Sequence, residues 1–93
     1  MILKTDNNGN PIPVGNSFST QQVTLSGTSY NEIAVPDNGA EALITSDSDF
    51  TLGESGSATG YETDKIQVGL LTMTSIFIKG TDGQKINILW VRL

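Results

Sequence analysis

The feature that most constrains this chain is the spacing of its apolar residues. From residue 21 onward they recur at every second position in short runs, and stretches rich in Gly, Pro, Asn or Ser separate the runs. A period of two is what a half-buried strand requires, because successive side chains point to opposite faces of a sheet. Gln22-Val23-Thr24-Leu25-Ser26 puts Val23 and Leu25 on one face, and Asn31 to Val35 does the same with Ile33 and Val35. Ala42 to Thr45 and Phe50 to Leu52 are shorter runs; Lys65 to Thr74, Ser75 to Lys79 and Lys85 to Leu93 complete the series. Nowhere does a 3.6-residue period hold long enough for a helix, and Ala40 to Leu43 offers one turn at most. A parallel sheet built from strand–helix–strand units is therefore excluded.

The breaks between runs carry turn chemistry. Pro36-Asp37-Asn38-Gly39 suits a tight turn, with Pro at the first central position and Asn-Gly tolerating positive φ. Ser46-Asp47-Ser48-Asp49 interrupts one strand, and Gly80-Thr81-Asp82-Gly83 reads as a hairpin turn. Residues 53–64, GESGSATGYETD, form the longest internal loop, with Tyr61 as its lone aromatic. The expectation is an all-β domain over residues 21–93: a small β-sandwich or jelly-roll-like body of about seven short antiparallel strands.

Composition agrees. Nine Ile, five Val and eleven Thr favour strands, and only four Ala are present. Ten Gly, nine Ser and seven Asn supply turns in place of charge, which is held to 16% of the chain. The absence of Cys and His removes disulfide scaffolds, zinc sites of the usual Cys/His type and every imidazole relay. Five basic residues against ten acidic ones give a formal charge of −5, and Lys4, Lys65, Lys79, Lys85 and Arg92 are dispersed, so no basic face for nucleic acid is expected. The N-terminal residues lack an apolar segment of signal-peptide length, and no run approaches a helical membrane span, so synthesis in the cytoplasm and no membrane role are expected.

Residues 1–20 differ from the rest. Pro11 and Pro13 fix φ and remove amide donors, so Pro11-Ile12-Pro13 is unsuited to a central strand. The segment reads as an extended N-terminal arm, with Ile2, Leu3, Ile12, Val14 and Phe18 as apolar anchors for a docking partner; a frayed terminus is the plainer alternative.

The last strand is the most informative. Ile86, Ile88 and Trp90 share one face, while Asn87, Leu89, Val91 and Leu93 share the other. A strand with one solvated face does not ordinarily turn Leu and Val outward. Leu71 and Phe77 show the same excess opposite Leu70, Ile76 and Ile78. Either the arm or a loop caps these residues, or Leu71, Phe77, Leu89, Val91 and Leu93 form an interface between copies. A C-terminal hairpin apolar on both faces, and hence a homo-oligomer, is the sharper expectation. A chain this short buries a modest fraction of its surface, which also favours association.

Other candidate sites are weaker. Asp47-Ser48-Asp49 and Asp6-Asn7-Asn8-Gly9-Asn10 carry oxygens of the kind calcium takes, but no closing bidentate Glu follows, so no metal site is expected. Glu54 and Glu62 flank the long loop without any pattern that marks a glycosidase pair. Gly53 to Gly60 lacks the Lys and the following helix of a phosphate loop, so no cofactor is expected. Tyr30, Tyr61 and Trp90 are the aromatics a sugar-binding sandwich would use. Trp90 has core parity, which leaves Tyr61 as the possible recognition residue of a carbohydrate-binding module.

The order of strands and turns from Val23 to Thr28, Ile33 to Pro36, Glu41 to Asp49, Ser75 to Gly80 and Ile86 to Trp90 resembles small phage and prophage virion proteins of the head-fibre or decoration class. The resemblance covers about residues 21–93 and carries over a scaffold, not an active site. It implies a non-enzymatic structural protein of the virion, a homotrimer formed through the C-terminal hairpin, and attachment to capsid or other virion proteins through residues 2–18. With no heptad stalk and no collagen-like repeat, a short knob or decoration protein fits better than a long fibre.

Overall fold

A computed structural model describes residues 3–5, 11–13, 17–70 and 72–92, the first two groups as backbone only. The strands are β1 (Leu3–Thr5), β2 (Pro11–Pro13), β3 (Ser17–Thr24), β4 (Asn31–Ala34), β5 (Gly39–Gly53), β6 (Tyr61–Gly69), β7 (Ser75–Lys79) and β8 (Lys85–Arg92). β1 and β2 pair with each other alone; the other six form one antiparallel sheet in the order β3-β8-β5-β7-β4, with β6 on β5. The fold is all-β, an antiparallel half-barrel or sandwich.

The sheet is easiest to follow along β5. Its Glu41–Thr45 and Phe50–Leu52 pair with β6 on one edge. On the other edge its first part, Gly39 to Ser46, pairs with β8, and its last part, Thr51 to Gly53, pairs with β7. β7 and β8 thus lie end to end along the same edge of β5. β3 flanks β8 and β4 flanks β7, again end to end. The six strands amount to four lanes folded across the middle. One half holds β3, β8, the start of β5 and the end of β6; the other holds β4, β7, the end of β5 and the start of β6.

The two halves close on a single core. Ala42, Ile44, Ile86, Ile88 and Trp90 come from the first half, and Ile33, Phe50, Ile76 and Ile78 from the second, with Leu25 and Leu70 at the joins. Within each of β4, β5, β7 and β8 the core residues share one parity, as the alternation requires. Trp90 is 2% exposed, and its Nε1 donates to Gln21 Oε1 at 2.9 Å, which satisfies the one polar atom of the ring.

The crease between the halves is held by side chains. β5 has four residues, 46–49, where β6 has only one between its paired positions, so the ladder shifts register there. Gln84 bridges this bulge: its Nε2 donates to Ser46 Oγ, Ser48 O and Asp49 O at 3.0–3.1 Å, and its Oε1 accepts from Thr81 N at 2.9 Å. Leu25 N donates to Gln84 O, and Gly83 N to Leu25 O, which ties connection 80–84 to connection 25–30. Gln84→Ala is expected to cost about 1 kcal/mol, since it removes a partner shared by four polar groups, one of them part-buried. Urea denaturation checks this as a lower midpoint with an unchanged slope.

Three expectations need correction. The C-terminal segments do not form a hairpin: β7 and β8 both pair with β5 and not with each other. The Gly80–Gly83 turn chemistry is real, with Gly83 at φ 86°, but a 15-residue β5 offers both segments a better partner than they offer each other. The Ser46–Asp49 stretch does not end a strand; it is the bulge within β5. And β6 begins at Tyr61, so the loop is shorter than residues 53–64. Two smaller differences follow. The 36–39 turn is closed by Gly39 N on Pro36 O at 3.0 Å, which puts Pro36 at its corner and Asn38, φ 62°, in the left-handed position. Ser17 to Thr20, assigned to the arm by sequence, are the first half of β3.

Candidate functional site

The outward face of the first half is the candidate site. Register gives it three rows across four strands. The first is Phe18–Val91–Glu41–Gly69, the second Thr20–Leu89–Leu43–Gln67, the third Gln22–Asn87–Thr45–Lys65. Phe18 is 71% exposed, while Val91, Leu89 and Leu43 are half-buried. Between the second and third rows lies a shallow concavity of about 350 Å³ lined by Thr20, Gln22, Leu43, Thr45, Asn87 and Leu89. Its polar walls are partly tied down, as Gln22 Nε2 donates to Asn87 Oδ1 at 3.1 Å.

Glu41 stands at the top of this face. It is 5% exposed although its parity points away from the core, and its Oε2 accepts from Gln67 Nε2 at 2.6 Å. At the bottom, Lys85 Nζ donates to Thr24 Oγ1 at 2.7 Å. The face therefore carries one acid against Lys65 and Lys85, in a chain of formal charge −5. The other described carboxylates fall at the crease (Asp47, Asp49, Asp64, Asp82), on strands of the second half (Glu32, Glu62), in the 54–60 loop (Glu54) or in the 36–39 turn beside Arg92 (Asp37).

The expected interface residues do not form one patch. Leu89 and Val91 are together on this face, and Phe18, assigned to the docking arm, lies beside Val91 in β3. Phe77 is on the outward face of the other half, opposite Glu32 and Gly53. Leu71 and Leu93 lie outside the described residues, as do Ile2 and Val14 of the arm. Leu3 and Ile12 are placed as backbone in the β1–β2 hairpin. Leu43, Thr20 and Glu41 were not marked as interface residues by sequence. A signal for Leu43 existed: Ala42-Leu43-Ile44 is three apolar residues in a row, so one of them must face outward.

The aromatics divide. Trp90 is in the core. Tyr30 lies flat over Gly53, where an added Cβ would come within 2.8 Å of the ring, and its hydroxyl donates to Ala58 O at 3.0 Å. Lys79 Nζ sits 4.6 Å from the ring centroid, a cation–π contact. Tyr30 thus anchors the 54–60 loop. Tyr61, 62% exposed, opens β6 opposite Leu52 and borders a shallow hollow of about 410 Å³ with Glu54, Ala58 and Thr59. Of the three aromatics considered for sugars only Tyr61 stays exposed, where a platform would use two or three rings.

Gly60 is needed where it is. Its φ is 77°, and a Cβ there would lie 2.9 Å from Leu52 O and collide with the Tyr30 hydroxyl. Gly60→Ala is expected to destabilise by about 2 kcal/mol, from left-handed strain and displacement of Tyr30. The check is a lower melting temperature together with faster amide exchange at 54–60.

Asp47 and Asp82 border a concavity on the crease with Ser46, Ser48 and Lys85. Asp82 Oδ1 accepts from Gly27 N at 2.8 Å, so it closes the 25–30 connection. Among the described residues no three Asp or Glu side chains gather as a metal cage. No protein family, curated protein or solved structure matches the chain.

Proposed function

We propose that the chain is a non-enzymatic structural subunit of a phage particle, of head-fibre or capsid-decoration type, which assembles with copies of itself through the outward face of its first half. The observation that carries self-association is the Phe18–Val91–Leu89–Leu43 cluster. It is apolar and contiguous, and its face carries Glu41 as the one acid against Lys65 and Lys85. Two copies at −5 repel wherever carboxylates meet, and this face is where they approach without that penalty. Covering it buries aliphatic surface at about 25 cal/mol per Å². The absence of His and Cys, the neutral polar composition and the strand-and-turn likeness to virion proteins support the structural class. Docking to capsid falls to the arm, whose β1–β2 pair has, among the described residues, no strand partner in the main sheet.

Sedimentation equilibrium at micromolar concentration tests the association. Species heavier than the 9.9 kDa chain are expected, and a monomer alone would overturn it. The virion assignment predicts portal, capsid and terminase genes beside the coding sequence; a neighbourhood without them would remove that part of the proposal.

A further inference from the structure

Among the described residues the main sheet has three free edges, and they are not alike. A free strand edge templates pairing with another chain unless charge, shortness, proline or a bulge protects it. β6, the edge beyond β5, carries Glu62, Asp64 and Lys65 in succession around a register break. β4 is four residues long and bears Glu32, which accepts from Ser75 Oγ at 2.7 Å. β3 has none of these protections. It runs Ser17-Phe18-Ser19-Thr20-Gln21-Gln22-Val23-Thr24, eight residues without a charge, a proline or a glycine. It pairs with β8 at every one of those positions without a shift, so its other edge is equally regular. Among the described residues no strand lies along that edge.

We propose that β3 pairs edge to edge and antiparallel with β3 of a second copy, across a two-fold axis at Thr20. This rests on the self-association proposed above and adds an edge contact to it, which leaves the joined outward faces open for a further copy to cover. The axis follows from parity. Residues directly opposite in an antiparallel pair share a face. An axis between two residues would set outward Phe18 against inward Val23, so the axis must pass through a residue. At Gln21 it would set two Gln21 side chains against each other, although Oε1 of each already accepts from Trp90 Nε1. At Thr20 it sets Thr20 against Thr20 and Phe18 against Gln22 outward, with Ser19 against Gln21 and Ser17 against Val23 inward. Threonine pairs are among the favourable cross-strand partners. The two outward faces then join into one, with Leu43 and Leu89 of each copy on either side of the seam. A two-fold contact closes as a dimer, in place of the trimer that the resemblance implies.

Amide hydrogen exchange tests this, because a free edge leaves alternate N–H groups of its strand unbonded. At concentrations where the chain associates, all amides from Phe18 to Val23 are expected to be protected. On dilution below the dissociation constant, every second one loses its protection. A sample mixing isotope-labelled and unlabelled chains should show contacts between β3 strands of different copies. An associated chain whose alternate β3 amides still exchange freely would overturn edge pairing while leaving self-association intact. Contacts from β3 to residues 3–13 of a neighbour would overturn it in favour of arm exchange. A chain that stays monomeric overturns both.

Discussion

Trp90→Ala is expected to remove about 3–5 kcal/mol of stability, the range for deleting a large buried aromatic and leaving a cavity. Small domains hold about 5–15 kcal/mol in all, so the variant should be near the limit of folding at 37 °C. The ring sits where β8 faces both Ala42 and Ser19, and it fills the core between the lanes of the first half. Its loss also leaves Gln21 without the indole donor, though Gln21 is exposed and turns to water at little cost. At about 4–8 °C per kcal/mol for a domain of this size, the melting temperature should fall by roughly 15–30 °C. A urea midpoint that falls by less than a quarter would show that the core does not depend on this ring.

Leu89→Asp is expected to abolish association while the subunit stays folded. Leu89 is half-buried in one copy and borders the open concavity, so an introduced carboxylate reaches water there and costs the monomer less than it costs an assembly. In an assembly that covers the face, the same carboxylate loses water without a partner, a penalty of several kcal/mol. The dissociation constant should rise by on the order of a hundredfold or more. Circular dichroism tells the two cases apart. A strand spectrum like the parent's together with a sedimenting monomer fits the proposed face; parent-like association would remove it. Tyr61→Asp, on the other half, should leave association unchanged.

Much of this was legible from spacing alone. Ile86, Ile88 and Trp90 inward and Leu89 and Val91 outward follow from parity, and the structure places them so. The left-handed residue in the 36–39 turn was readable from Asn-Gly, to within one position. What spacing leaves open is which strand lies beside which. Alternation names a face but not a neighbour, so two consecutive strands joined by a Gly turn read as a hairpin. Here the length of β5 decides otherwise, and that length was hidden because Ser46-Asp47-Ser48-Asp49 has the polar composition of a loop. The bulge is held by Gln84, 35 or more residues away, and no local pattern announces such a contact. Phe77 was grouped with Leu89 for the same reason: the assumed hairpin put them on one surface, and the end-to-end lanes put them on two halves. Tyr30 was read by type as a candidate for sugars. Its role as an anchor depends on Gly53 and Gly60 passing beneath it, which only the folded chain reveals.

The bond between the indole of Trp90 and Gln21 gives the chain an optical reporter of its own border. Trp90 is the sole tryptophan, and its hydrogen-bond partner lies on β3, an edge strand of the sheet. Should that strand peel away, the ring gains water before the rest of the core does. Its emission would then shift to longer wavelength while far-ultraviolet dichroism held steady. Fraying of the border and collapse of the whole domain can thereby be followed separately, with no label attached.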